Sequence, residues 1–274
     1  MSPLWNNTLS LQVDTQQLRA TFYPGWLQRQ GWVRPHAGNA QALRQPLAIS
    51  SERLQPLPGA LDALFSELHQ QCDIRNARLH VTLADAHVHF DVASGHFASY
   101  GQQQLQAIAM GCVAELLGDA AANQAVRWQL QPDLQHLLLC AMEQPMVDAI
   151  VQAADQHGLH LDSLQPAFCR QWGQHSGALP LGSGVFTLAD TGYSLIACAL
   201  RGSITALSLG RWNASWPAGA QSTPPGQTLD MRVNRLLASL GAQAPDGFVL
   251  VTRDAATLAP TPRWTVCEWQ EESP

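Results

Sequence analysis

The stretch Val185–Leu209 constrains the fold of this chain most strongly. It reads VFTLADTGYSLIACALRGSITALSL and consists of apolar runs rich in β-branched, aromatic and small residues. The runs are separated by Asp190-Thr191-Gly192 and by a tight Arg201-Gly202 turn, a pattern typical of consecutive antiparallel strands. We therefore expect a sheet core here, at the centre of a domain, with an aspartate at one of its turns.

A short internal repeat links this stretch to the first half of the chain. The tetrapeptide Thr-Leu-Ala-Asp occurs at Thr82–Asp85 and again at Thr187–Asp190, and a third turn aspartate is Asp14. Self-similarity of this kind suggests related β-hairpin units, each with an aspartate at its turn.

Composition excludes several classes of function. The 274 residues suffice for one large domain or two lobes, and the formal net charge of -6 argues against nucleic-acid binding. All 15 basic residues are arginine, because the sequence contains no lysine. A Walker-type phosphate loop, a pyridoxal Schiff base and a catalytic lysine are therefore excluded.

The cysteines and the N-terminus indicate the compartment. The 6 cysteines form no C-x-x-C pair and several lie within apolar runs, as expected of small buried side chains in a reducing compartment. The first residues lack the basic and apolar regions of a signal peptide, and no apolar stretch approaches the length of a membrane span. We expect a cytoplasmic protein that reaches a membrane only through a partner.

Period-two alternation predicts a hairpin at Thr8–Tyr23 and a second at Arg78–Val92. If the two-residue turn Asp85-Ala86 sets the register of the second hairpin, His80 lies opposite Asp91 and Thr82 opposite His89.

The remaining pattern predicts helices alternating with strands. A helix from Pro145, with Val147, Ile150, Val151 and Ala154 as its apolar stripe, ends at Gly158 and lies between two strands as a β-α-β unit. A Gly/Ser/Pro-rich segment at 173–184 predicts a domain boundary. Hydrophobic periodicity predicts further helices at 59–71, 102–117, 168–174 and 227–240, and strands at 47–49, 126–131, 136–142, 159–164, 248–252 and 264–269.

Few residues mark an enzyme active site. The sequence contains no G-x-S-x-G elbow, no dinucleotide fingerprint after a strand and no H-E-x-x-H. His87 and His89 could bind a metal ion, but they lack a third ligand at useful spacing, so solvent-facing histidines are the favoured interpretation and we predict no metal site.

Two further groups of residues allow a functional and a structural interpretation. Asp14, Asp85 and Asp190 could hold Mg²⁺ or orient a water, although an aspartate at a turn more often caps nearby amides. Trp212 and Trp216 could anchor a partner chain or could pack their loop onto the sheet.

The order of elements over nearly the whole chain resembles the PilM-like branch of the actin-like ATPase superfamily, to which the cytoplasmic part of the secretion protein GspL is also similar. The resemblance is carried by LSLQVDTQQLRATFY, by RLHVTLADAHVHFDV, by HLLLCAMEQPMVDAIVQAADQHGLHLDSLQPAF with Gly158 and Leu159, and by the Asp190-Thr191-Gly192 hairpin. It implies a mixed α/β, two-lobed actin-like ATPase (RNase H-like) fold. The first lobe would span 1–175, with a partner-binding subdomain at about 75–165, and a shortened second lobe would span 184–274.

Departures from the family pattern imply that the fold no longer serves an ATPase. Where nucleotide-binding members have Asp-x-Gly and small hydroxyl residues, Asp14 is followed by Thr15, Gln16 and Gln17. Glutamine side chains there would fill the space where a backbone must approach phosphate oxygens. The strand end that would contact adenosine, Leu250–Asp254, has no glycine. Any cofactor contact would be vestigial, at Asp14, Asp190 and Gly192, and we expect no cofactor.

The resemblance implies an adaptor in a type IV pilus or type II secretion platform, cytoplasmic and peripheral to the inner membrane. It would bind the cytoplasmic N-terminal tail of an inner-membrane protein and could form homo-oligomers. Retained ATP and magnesium binding is the alternative. The tail would add as a strand to an exposed sheet edge. The expected groove is formed by apolar residues of the second hairpin and the 102–117 helix: Leu79, Val81, Leu83, Val88, Phe90 and Leu105.

Overall fold

The structure of the chain is a computed structural model. The structure describes residues 7–25, 46–52, 56–190, 193–211, 225–240, 247–252 and 264–269. Its strands are β1 Thr8–Val13, β2 Gln17–Tyr23, β3 Leu47–Glu52, β4 Arg78–Leu83, β5 Val88–Ser94, β6 Gln124–Leu130, β7 His136–Glu143, β8 His160–Pro166, β9 Gly184–Asp190, β10 Tyr193–Leu200, β11 Ser203–Arg211, β12 Phe248–Thr252 and β13 Thr265–Glu268. Its α-helices are α1 Leu57–Gln71, α2 Gln102–Leu117, α3 Gln144–Gln156, α4 Ala167–His175 and α5 Pro225–Ser239.

The first sheet has the strand order β3-β2-β1-β4-β8. β1, β2 and β3 pair antiparallel in succession, which confirms the first predicted hairpin, whereas β4 runs parallel to both β1 and β8. Leu11 lies opposite Ala20 on one side and Val81 on the other, and all three are fully buried. The alternation in β1 and β2 therefore directs one face of the sheet into the core.

The predicted second hairpin is wrong, because β4 and β5 belong to different sheets. Thr82 pairs with Gln12 and Gln165, not with His89. A 3₁₀ turn at Asp85–His87 separates the two strands and redirects the chain. β4 is buried on both faces towards its end, as expected of an interior parallel strand. The alternation of apolar and polar residues in its sequence wrongly suggests that only one face is buried.

The second sheet comprises β5, β7 and β6 in that order and is covered on one face by α2. Together these elements form a small subdomain, residues 88–143, which we call the three-stranded subdomain. The bounds of α2 confirm the prediction, and Gly118 follows it with a positive φ of 59°. The core between helix and sheet contains Phe97, Leu105, Ala109, Val113, Ala121, Val126, Leu137, Leu139 and Ala141.

The stretch Gln102–Asn123 is apolar enough to be considered as a membrane span, with a mean hydropathy of 1.3. Its regular α-helix ends at Leu117 and is about 24 Å long, shorter than the roughly 30 Å hydrocarbon core of a bilayer. Leu105, Ala109 and Val113 are buried against the three-stranded sheet. We therefore interpret α2 as the covering helix of this subdomain.

The predicted β-α-β unit around α3 is also corrected. β7 lies in the three-stranded sheet and β8 in the first sheet, so α3 does not connect two strands of one sheet. The buried stripe of α3 consists of Met146, Ile150, Ala153 and Ala154, while Val151 is 39% exposed. Pro145 in the first turn and Gly158 after the helix are confirmed as its boundaries.

The third sheet has the order β11-β10-β9-β12-β13 and contains the stretch Val185–Leu209. β9, β10 and β11 pair antiparallel as predicted, and β12 runs parallel to β9 and β13. The Arg201-Gly202 turn has positive φ at both residues, 51° and 81°, as a tight two-residue hairpin turn requires. Every residue of β9 is buried, so this strand is the centre of the sheet.

The first and third sheets are built to the same plan, with three antiparallel strands followed by two parallel ones. Asp14 directly follows β1, the first strand of the first sheet, and Asp190 is the last residue of β9, the first strand of the third sheet. The two aspartates therefore occupy equivalent positions. Asp85 follows the fourth strand, so the repeated tetrapeptide does not mark equivalent hairpins as predicted. In the first sheet the last two strands, β4 and β8, are connected by residues 84–159, whereas in the third sheet β12 and β13 are connected by the shorter segment 253–264.

The chain divides into two compact units. The described part of the first comprises residues up to Val88 and Met142–Ala167, and that of the second comprises His89–Ala141 and the residues from Phe168 onward. The predicted lobes, 1–175 and 184–274, follow a different division, because most of the three-stranded subdomain groups with the second unit. The lobe boundaries therefore stay a prediction.

Within the second unit, the turn between β6 and β7 is hydrogen-bonded to the start of β11. The Gln131 side chain is 3% exposed, and its Oε1 accepts a hydrogen bond from the Ile204 N–H at 3.0 Å. The Asp133 N–H donates to Ser203 Oγ at 3.1 Å. These two bonds fix the turn on the edge of the third sheet.

Replacing Gln131 with methionine keeps the side-chain volume and removes the acceptor of the buried Ile204 N–H. We expect the free energy of unfolding to fall by about 1–3 kcal/mol, the cost of an unpaired buried donor. Urea denaturation measures this loss. The exposed Gln129→Met variant is the matched control, and an equal loss in both variants would contradict the assignment.

Replacing Asp133 with asparagine tests the second half of the turn. Burial favours a raised pKa for Asp133, but hydrogen bonds from the Gln135 N–H, the His136 N–H and the His136 ring, at 2.6 Å from Oδ2, lower this pKa overall. A lowered folded-state pKa stabilises the fold above the unfolded value of about 3.9, and the contribution is lost as pH falls through the folded pKa.

We therefore expect Asp133→Asn to cost about 1 kcal/mol at pH 7 and to converge with the wild type in acid. Urea denaturation at neutral pH and near pH 3 measures the difference, with the exposed Asp119→Asn as control. A difference that does not depend on pH would contradict the proposed role of the carboxylate.

Candidate functional site

Asp14 lies at the turn between β1 and β2. Its carboxylate Oδ1 accepts a hydrogen bond from the Thr15 N–H at 2.8 Å, and its own N–H donates to the Gln17 carbonyl at 2.9 Å. Thr15, Gln16 and Gln17 are exposed. The geometry is that of an aspartate that caps its own turn.

Asp190 lies at the corresponding position of the third sheet and is 6% exposed. The Tyr193 hydroxyl donates to Asp190 Oδ2 at 3.0 Å, and the two residues face each other across the β9–β10 pair. A cation or water bound at this carboxylate would have to displace the Tyr193 hydroxyl or share the carboxylate with it. The sequence analysis missed Tyr193, although a two-residue turn in a hairpin places residues 190 and 193 opposite each other.

The other residues considered for cofactor, metal or partner binding lie at the following places. Gly192 lies outside the described residues, as do Trp212 and Trp216. Asp85 is fully buried at the start of its 3₁₀ turn, and His87 Nε2 lies 3.3 Å from the Asp14 carbonyl oxygen. Across the described ranges, no three His, Cys, Asp or Glu side chains are grouped as metal ligands.

The strand end predicted to face adenosine corresponds to the end of β12. Leu250, Val251 and Thr252 are all buried, and β12 pairs on both sides, with β9 and β13. Asp254 and its neighbour Arg253 lie beyond the described part of the strand.

The predicted partner-binding residues lie mostly in the core. Leu79, Val81 and Leu83 are fully buried on β4, which is an interior strand and therefore offers no free edge. Val88 and Leu105 are 2% and 3% exposed. These five side chains therefore cannot form the predicted groove.

Phe90, the sixth predicted residue, is half-buried on β5. Its ring packs against Phe168 at a centroid distance of 5.7 Å, as part of an aromatic cluster in the second unit. Phe186 of β9 contacts both Phe168 and Trp172 in the same cluster.

Both edges of the three-stranded sheet carry charged residues that bind main-chain groups. Asp91 Oδ1 accepts the Val92 N–H at 2.8 Å on β5, and the Arg127 guanidinium donates to the Val126 carbonyl at 3.0 Å on β6. Charged side chains of this kind oppose the addition of another strand. Exposed apolar side chains of the subdomain include Met110 and Leu116 on α2, which are 41% and 52% exposed.

A surface depression of about 510 Å³ lies where α1 and α3 end. His69 Nδ1 in its wall is buried and has no hydrogen-bond partner among the described residues. Arg75 pairs with Asp73 at 3.0 Å and lowers the pKa of the Asp73 carboxyl. The walls of the depression carry charges of both signs and therefore indicate no single class of ligand. They are formed by Ser66, His69, Gln70, Arg75, Asp155, Gln156, His157 and Gly158.

No protein-family model and no curated protein matches the sequence. Solved structures do match. PilM in a PilM–PilN type IV pilus biogenesis complex is 15% identical, with a TM-score of 0.58 over 91% of this chain and 82% of the other. A Bacteroides thetaiotaomicron protein of actin-like ATPase fold and unknown function is 11% identical, with a TM-score of 0.53 over 92% and 84%.

The cytoplasmic domain of EpsL, an inner-membrane component of the Vibrio cholerae type II secretion system, is also a structural neighbour. It is 12% identical, with a TM-score of 0.48 over 97% of this chain and 89% of that domain. The likeness to PilM and to the Bacteroides protein, together with two sheets built to one strand order, confirms the predicted fold. The chain is a mixed α/β protein of the actin-like ATPase fold.

Proposed function

We propose that this protein is a non-catalytic actin-like adaptor of a type IV pilus or type II secretion assembly platform. It acts in the bacterial cytoplasm, peripheral to the inner membrane, and binds the cytoplasmic tail of an inner-membrane protein. The observation that carries this proposal is the likeness of its fold to PilM, a protein seen in complex with PilN, over 91% of the chain.

The two turn aspartates support the absence of catalysis. Asp14 is used by its own turn and is followed by exposed glutamines, and Asp190 is hydrogen-bonded to Tyr193. A phosphate-binding loop needs backbone amides that approach the ligand closely, which glycine permits and glutamine side chains obstruct.

The exposed side of α2 supports a role in binding a partner. Met110, which is 41% exposed, lies on it, away from the stripe that packs on the sheet. Leu116, which is 52% exposed, follows that stripe in the helical period and extends the apolar surface near the end of α2. Methionine and leucine on an exposed helix can bury apolar side chains of an incoming peptide. We therefore place the partner surface on α2 in place of the buried residues of the original prediction.

Nucleotide binding is the alternative function, and a thermal shift distinguishes it. A ligand at a hundredfold excess over its dissociation constant stabilises a protein by about 2.7 kcal/mol. We expect no shift in melting temperature with Mg-ATP or Mg-ADP up to millimolar concentration. A shift that is lost in the Asp190→Asn variant, which keeps the side-chain size, would refute the non-catalytic proposal.

The partner surface is tested with synthetic peptides that cover the cytoplasmic N-terminal tails of the host's single-span pilus and secretion proteins. We expect one tail to bind, and Met110→Glu to weaken its affinity at least about tenfold by placing a charge in an apolar contact. The matched control is Met231→Glu, whose parent side chain is 61% exposed on α5. Equal binding by both variants would exclude α2 as the site.

A further inference from the structure

The three sheets, as far as they are described, end in six edge strands, β3, β8, β11, β13, β5 and β6. An edge strand presents unpaired N–H and C=O groups on its outer side, and proteins usually protect such edges with charges, prolines or short strands. An edge that lacks this protection is a site where another strand can add.

Five of the six edges show such protection. β13 has only 4 residues, and its last residue is Glu268. β5 and β6 are protected by the Asp91 and Arg127 hydrogen bonds. β8 carries Asp162 and Pro166, and β3 is a short strand of 6 residues that ends at Glu52.

β11 is different, because its 9 residues include neither a proline nor a charged residue before Arg211. Its first part is occupied: the Ile204 N–H is bound by Gln131, and the β10–β11 register shifts between Cys198 and Ala199, next to Thr205. Beyond this point the segment Ala206–Gly210 pairs regularly with β10. No other described strand lies on its outer side.

The side chains of this segment suit pairing with an identical strand. Leu207 and Leu209 lie on one face, and Leu209 is 41% exposed although it is apolar. In an antiparallel pair centred on Ser208, Leu207 of each copy lies opposite Leu209 of the other, which removes part of the surface of each leucine from water. A chain of net charge -6 repels its copies in general, but Ala206–Gly210 itself carries no charge. The Arg232 guanidinium, which lies against Gly210, donates to the Ser194 carbonyl of β10.

We propose that Ala206–Gly210 of β11 pairs antiparallel with the same segment of a second copy of this chain. The contact is isologous, so each outward-facing N–H on one strand donates to a carbonyl of the other, and the two-fold axis repeats every bond. Gln131 limits the paired segment, because it already occupies the Ile204 N–H on each copy. The inference is independent of the proposed function and concerns a surface other than α2.

Sedimentation equilibrium of the full chain over a wide concentration range tests the proposal. We expect the average mass to rise from one to two chain masses, and Leu209→Glu to raise the dimer dissociation constant about tenfold or more, since it places a charge against Leu207. Leu240→Glu, at a residue of similar exposure, 45%, on the last turn after α5, is expected to dimerise like the wild type.

A second variant tests the same strand pair in case Leu209→Glu fails to fold. Ser208→Cys changes one atom and places two thiols opposite each other at the two-fold axis, so mild oxidation is expected to give a covalent dimer. The exposed Ser99→Cys variant and the wild type, which has 6 native cysteines, are expected to give no covalent dimer under the same conditions.

Hydrogen exchange of the wild type supplies the residue-level result. Amides within 206–210 are expected to exchange more slowly at high than at low protein concentration. A wild type that is monomeric at all concentrations, or a dimer that is unaffected by Leu209→Glu and is not cross-linked in the Ser208→Cys variant, overturns the proposal.

Discussion

The first sheet depends on the parallel pairing of β1 with β4, and the third sheet depends on the parallel pairing of β9 with β12. These strands are interior, so each must satisfy its main-chain groups on both sides. The register places Val13 beside Leu83, and the Ala84 N–H donates to the Val13 carbonyl at 2.9 Å. The chain therefore leaves β1 and β4 at the same end of the sheet, which is why Asp14 and His87 come into contact.

Local patterns predicted the elements of the fold better than their pairing. The Thr8–Tyr23 and Val185–Leu209 hairpins were predictable, because a turn of few residues forces neighbouring strands together. β4 and β5 are also separated by few residues, yet they do not pair with each other. β4 pairs instead with β1 and β8, which are distant in sequence. An alternating run such as Arg78–Leu83 does not reveal which partners will pair with it.

The candidate site was predictable to a similar extent. The turn positions of Asp14 and Asp190 followed from sequence, and so did the presence of glutamines beside Asp14. The partner residues on β4 were mispredicted, because apolar residues that bind a peptide and apolar residues that bury in a core have the same composition. Met110 on α2 could have been noticed from the helical period, since it lies away from the Leu105, Ala109 and Val113 stripe.

The unequal connections in the two repeated sheets have a consequence for assembly. Residues 84–159 provide the three-stranded subdomain between the last two strands of the first plan, whereas the third sheet connects its last two strands through 253–264. Each chain therefore carries a single copy of α2, although its sheets are duplicated. A receptor that recognises α2 would engage this protein in a one-to-one ratio, and any higher stoichiometry would have to come from the number of chains in an assembly.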